Sequence, residues 1–159
     1  MNSKSWKKMD VVEDDYLLGK AYCVASRAHF SQLDKCGKPY ILHPVRVSNR
    51  CHTMETKIAA LLHDVVEDSE MTVEDLRKDF PENIVAIVDI LTKRDEETYN
   101  SYINRIIESK NRQAIEVKMM DLADNTDPDR KMKDAKKQKL LLAKYKETIK
   151  KLSEAEKSM

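Results

Sequence analysis

Apolar residues recur at three- and four-residue spacing along nearly the whole chain, and no alternating run of useful strand length competes with that period. Leu17, Leu18, Ala21, Val24, Ala25 and Ala28 form one stripe, which predicts a first helix over about Asp14 to Phe30. The polar stretch Ser31 to Tyr40, with Gly37 and Pro39, reads as a loop. Pro44 suits the first turn of a short second helix carrying Val45, Val47 and Cys51. Thr53 reads as the N-cap of a third helix, Met54 to about Glu67. Its Ile58, Ala59, Leu61, Leu62, Val65 and Val66 cover more than half the circumference, so this helix is expected to be central and buried.

Thr72 with Asp75 three residues on resembles a capping box, opening a helix through about Asp79. Pro81 opens another, with Ile84, Val85, Ile87, Val88 and Leu91 facing inward. Helices around Tyr99–Ser109 and Asn111–Ala123 follow. Asp127-Pro128 has the form of a cap and first residue for a last amphipathic helix over about 128–152. The pattern predicts an all-α bundle of about seven or eight helices, a single domain over 1–159 with its motif-bearing core at about 20–128. No internal repeat or linker interrupts it.

Composition narrows the chemistry. A chain of 159 residues can bury a core without disulfides. Only Gly19 and Gly37 are present, so neither a P-loop nor a G-x-G-x-x-G turn can be written, and any phosphate must be handled by side chains or a metal. The net charge of +1 argues against a bulk polyanion binder. The segment Lys131 to Lys151 is lysine-rich, yet Ala135, Leu142, Tyr145, Ile149 and Leu152 recur through and just beyond it at helical spacing. Its lysines therefore read as a solvated face, no nucleic acid is expected as partner, and the stripe could pair with a second subunit as a homo-oligomer. Met1 to Lys8 lacks the apolar run of a signal peptide and no stretch approaches a membrane span, so a cytoplasmic protein is expected. Cys23, Cys36 and Cys51, an odd count without a CxxC pair, read as free thiols.

The sharpest signal is His63-Asp64-Val65-Val66-Glu67-Asp68, four ionisable groups at the end of an otherwise apolar helix. Buried charge is costly unless it is paired, hydrogen-bonded or on a metal. Adjacent His63 and Asp64 can reach one ion, and Glu67 and Asp68 lie one turn further on. His43 stands between Ile41-Leu42 and Pro44 at a loop-to-helix junction. Asp121 is a carboxylate inside the apolar run Val117 to Ala123, with Asn125 one turn below. Two imidazoles and two carboxylates suit a first-row divalent ion, and the oxygen share favours manganese or iron over a cysteine-rich zinc site. His29 is a candidate outer partner of this cluster. Cys36 has no neighbouring base in sequence and reads as loop packing.

Ala28-His29-Phe30-Ser31-Gln32, with Asp34-Lys35-Cys36-Gly37-Lys38-Pro39-Tyr40-Ile41-Leu42-His43-Pro44, resembles the first motif of the HD hydrolase domains of RelA/SpoT-type alarmone enzymes and their small stand-alone relatives. Ala59 to Asp68 resembles their second motif, Asp89-Ile90-Leu91-Thr92-Lys93 also fits, and Lys118 to Asn125 resembles their last. The resemblance implies one manganese ion held by His43, His63, Asp64 and Asp121, with Glu67 and Asp68 positioning and deprotonating the attacking water. It implies Asn125 at the substrate ribose and Lys35 beside the base or phosphates. The implied reaction removes the 3′-pyrophosphate from guanosine tetra- or pentaphosphate. One departure is informative: the family loop usually carries Arg-Lys, the Arg packing on guanine, where this chain has Asp34-Lys35. A carboxylate cannot stack on a base as a guanidinium does, so weaker guanine selectivity is expected. Alternatives are a phosphomonoesterase acting on another nucleotide or phosphorylated dinucleotide, and a nucleotide sensor, against which Glu67 and Asp68 stand. No synthetase segment fits in the remaining residues, so the chain is expected only to degrade.

Overall fold

Capping side chains set where many of the helices begin. In the computed structural model, which describes residues 13–159, Thr53 accepts from Thr56 N while Thr56 Oγ1 accepts from Thr53 N. Thr72 and Asp75 close the same reciprocal box. Thr98, Asn111 and Asp134 each accept from the backbone N–H three residues on. Residues 1–8, read above for a signal peptide, lie outside the described residues.

The helices so started are α1 (Glu13–Ala28), α2 (Leu42–Arg50), α3 (Met54–Leu62), α4 (Val65–Asp68), α5 (Val73–Arg77), α6 (Glu82–Leu91), α7 (Tyr99–Glu108), α8 (Arg112–Asn125) and α9 (Ala135–Lys157). Among the described residues the only β-pairing is an isolated bridge between Leu33 and Pro39, inside the predicted loop. No described helix is long and apolar enough to cross a membrane.

Helix α3 is the centre of the bundle, packed by α1, α2, α6 and α8. Ile58, Ala59, Ala60, Leu61 and Leu62 are all essentially inaccessible, as its wide apolar face predicted. Leu61→Ala, which leaves a void at this centre, is expected to cost about 2–5 kcal/mol of stability. The midpoint of urea unfolding checks it, and a loss below about 1 kcal/mol would place Leu61 outside the packed core.

Two boundaries differ from the sequence reading. The third helix does not run on to Glu67: it ends at Leu62, with His63 and Asp64 at a break before the one-turn α4. There His63 Nδ1 donates to the Ala60 carbonyl at 2.6 Å, an oxygen that a continuing helix would offer to Asp64 N–H. The last helix begins at Ala135 rather than at Pro128 and reaches Lys157. Asp127 is not its cap, because the carboxylate accepts from Asp129 N and from Arg50 Nη2, folding 126–130 into turns. The apolar stripe of α9 is used within the chain: Thr148 and Leu152 are buried, Tyr145 and Ile149 pack on the core, and Leu142 lines a cavity. The helix lies against α7 and α8, with Tyr99 Oη donating to Thr148 Oγ1.

Candidate metal centre and substrate cavity

Three elements converge beside α3. The start of α2 supplies His43, the α3–α4 break supplies His63 and Asp64, and the last turns of α8 supply Asp121. Donor atoms of His43, His63 and Asp64 all lie within 4.8 Å of one another. Asp121 joins through the imidazoles, its Oδ1 being 3.0 Å from His43 Nε2 and 3.7 Å from His63 Nε2. Asp64 Oδ2 is 2.9 Å from His63 Nε2 and 3.8 Å from His43 Nε2. Both histidines are buried, at 2% and 3% exposure, too deep for water to solvate them.

The ring orientations are fixed from behind. His63 Nδ1 donates to the Ala60 carbonyl, and His43 Nδ1 donates to Asp124 Oδ2 at 2.7 Å. Each Nε2 therefore faces the cluster as the nitrogen free to coordinate a cation. His63 Nε2 is buried and, although Asp64 Oδ2 is 2.9 Å away, makes no hydrogen bond of good geometry, an orphan that a ligated cation would satisfy. Burial opposes protonation of both rings, yet the carboxylates outweigh it: the pKa of His63 is raised by Asp64 and Asp121, and that of His43 by Asp121 and Asp124. A cluster that draws positive charge between its donors is what a divalent ion would relieve, so the residues present fit a metal.

The carboxylates are braced as well. Asp121 accepts from Lys118 Nζ at 2.7 Å and from Asn125 Nδ2 at 2.9 Å, both one turn away on α8. Tyr40 Oη donates to Asp64 Oδ2 at 2.5 Å. Asp124, which the sequence reading did not assign, is fully buried and accepts from His43, Arg46 and Arg130. Burial alone would raise its pKa, but the hydrogen bonds from His43 and Arg46 hold it down at about 2.

Glu67 and Asp68 stand at the open edge, lining a groove of about 720 Å³ with Thr92, Lys93 and Arg94. Glu67 Oε1 accepts from Lys93 N at 2.5 Å, and Gln32 Nε2 holds the Asp68 carbonyl at 2.8 Å. Partial burial raises the pKa of both, helped for each by the charge on Asp64. A second cavity, of about 130 Å³, abuts the cluster through His43 and Asn125. Lys35 lines it, as do Tyr145 and Leu142 of α9. Asp34 does not: its side chain is 3% exposed and turned into the loop. His29 is buried behind Tyr40, its Nδ1 2.9 Å from Gln32 Oε1.

Residues 21–150 match the family described as HD domain, and the chain belongs to that family. Among curated relatives, the guanosine-3′,5′-bis(diphosphate) 3′-pyrophosphohydrolase of Vibrio cholerae is 44% identical over 82 residues, 49% of this chain and 12% of its own length. The GTP pyrophosphokinase of Streptomyces coelicolor is 45% identical over 80 residues, 48% of this chain and 9% of its own length. The bifunctional (p)ppGpp synthase/hydrolase SpoT of Escherichia coli is 42% identical over 82 residues, covering 49% of this chain and 12% of that protein. The chain thus spans about a tenth of the length of these relatives. A solved structure of a metazoan ortholog of SpoT that hydrolyzes ppGpp aligns with a TM-score of 0.65 at 23% identity, covering 89% of this chain and 94% of that one, a likeness of fold.

Proposed function

We propose that this protein is a metal-dependent nucleotide phosphohydrolase that removes the 3′-pyrophosphate from guanosine tetra- or pentaphosphate. The observation that carries the reading is the juxtaposition of the His43–His63–Asp64–Asp121 cluster with a carboxylate pair in an open groove on one side and a cavity lined by Lys35 and Asn125 on the other. The relatives named for the same hydrolysis support it.

His43, His63, Asp64 and Asp121 would hold one divalent ion, manganese by the mixed nitrogen and oxygen donor set. When bound, such an ion supplies Lewis acidity and lowers the pKa of a nearby water. The chain's own residues do the rest. Glu67 and Asp68, at the mouth of the cluster, take the proton from the attacking water. Its oxygen bonds to the phosphorus attached at the ribose 3′ position, that P–O bond breaks, and a proton ends on the 3′ oxygen, giving a free hydroxyl and pyrophosphate. Asn125, its amide set by Asp121 and Arg130, holds the ribose, and Lys35 faces the phosphates or base from the rim.

Incubating the protein with manganese and a panel of guanine and adenine nucleotides, with products identified by mass spectrometry, tests the reading. Pyrophosphate and guanosine di- or triphosphate are expected from the alarmones. Release of orthophosphate alone would replace this reaction by a phosphomonoesterase, and binding without turnover would leave a sensor.

A further inference from the structure

Arg130 comes from the turn segment between α8 and α9, immediately before the stretch whose lysines read as a solvated face, yet its guanidinium faces inward and lines the cavity beside His43 and Asn125. Its plane is fixed by three side chains. Nη1 donates to Asp124 Oδ2 at 2.9 Å and to Asn125 Oδ1 at 2.8 Å, and Nη2 donates to Asp34 Oδ2 at 2.9 Å. The backbone is pinned too: Gln138 of α9 donates to the Arg130 carbonyl and accepts from Met132 N.

The Asp34 side chain belongs to this arrangement. Its Oδ1 accepts from Cys36 N and Lys38 N, so the loop turn holds it, and its Oδ2 is left for Arg130. Asp34 therefore anchors the guanidinium directly from the loop behind the cavity wall. Three of the five guanidinium N–H groups are committed, which leaves the buried Nε–H and one Nη2–H without a partner, and the two carboxylates facing Arg130 offset the positive charge a further phosphate would seek. What remains is a flat, rigid, delocalised cation lining the same cavity as Met132, Leu141, Leu142 and Tyr145. A planar cation beside an apolar wall recognises an aromatic heterocycle.

We infer that Arg130, held by Asp34 and Asp124, is the base-reading residue of this site, receiving the purine of the nucleotide against its guanidinium. The inference rests on the nucleotide reading above. It also inverts the expectation for Asp34, which serves base recognition by holding an arginine that comes from the turn between α8 and α9.

Calorimetric titration of the manganese-loaded protein with guanosine 5′-diphosphate, ribose 5-phosphate and inorganic pyrophosphate tests it without turnover. Arg130→Lys keeps the charge and loses the plane. It is expected to weaken guanosine 5′-diphosphate at least about tenfold, with the two base-free probes within about threefold of wild type. Asp34→Asn, which releases the anchor and leaves Arg130 in place, is expected to weaken the same probe by a smaller factor and serves if Arg130→Lys does not fold. Unchanged affinity for guanosine 5′-diphosphate, or equal weakening of all three probes, would overturn the inference and leave Arg130 a brace of Asp124. Wild type that hydrolyses guanosine tetraphosphate but does not bind guanosine 5′-diphosphate would also overturn it, whereas failure of both defeats the nucleotide reading and takes this inference with it.

Discussion

Wild type is expected to purify with about one divalent ion per chain, and Asp121→Ala to leave purification without it and to lose turnover. Asp121 Oδ1 approaches both histidine Nε2 atoms, so its removal takes away the oxygen that bridges the two imidazoles. The same change strips Lys118, at 12% side-chain exposure, of its carboxylate partner, and an unpaired buried charge destabilises by about 3–5 kcal/mol. Asp121→Asn, near-isosteric, keeps a hydrogen-bond acceptor for Lys118 and separates ligand loss from fold loss. Metal content by mass spectrometry, read beside the thermal midpoint, is the measurement. Wild-type metal content in both variants would remove Asp121 from the ligand set.

Glu67→Gln and Asp68→Asn should behave in the opposite way, retaining the ion while the chemical step slows by about 10²–10⁴ in one variant or both. Neither residue belongs to the group of close donors around the histidines, and both look into the open groove from the one-turn helix. Their positions are held by the backbone of Lys93 and the side chain of Gln32, so a neutral isostere should leave the surroundings in place. Single-turnover rates beside metal stoichiometry separate the roles. Near-wild-type rates in both variants would reduce the pair to a solvated helix end.

Residues that carry this site differ in how visible they are in the sequence. His63, Asp64 and Asp121 stand out because each interrupts an apolar helical run, where a charge needs a reason. His43 is visible only beside a motif, since a lone histidine before a proline has many uses. Asp124 lies in the last motif and could not be told from Asp121 by period, because its partner His43 is 81 positions away. Arg130 is hidden by its company of lysines, and nothing in the local pattern says that it turns inward. The all-helical bundle and the buried α3 follow from a period sustained over several turns. The break at His63 does not, because Val65 and Val66 continue the apolar stripe while a single side chain takes the Ala60 carbonyl. Asp127-Pro128 misleads for a related reason: its carboxylate finds a nearer N–H and a distant arginine, and the true cap, Asp134, lies seven residues on.

Asp124 has a thermodynamic consequence. One buried carboxylate grips the imidazole of the His43–His63–Asp64 cluster and the guanidinium that lines the cavity, so neither can shift without disturbing the other. An ion held at His43 and a nucleotide seated against Arg130 would then share one mechanical frame, and their binding equilibria would be linked. Whatever factor the nucleotide imposes on affinity for the ion, the ion must return in full on affinity for the nucleotide.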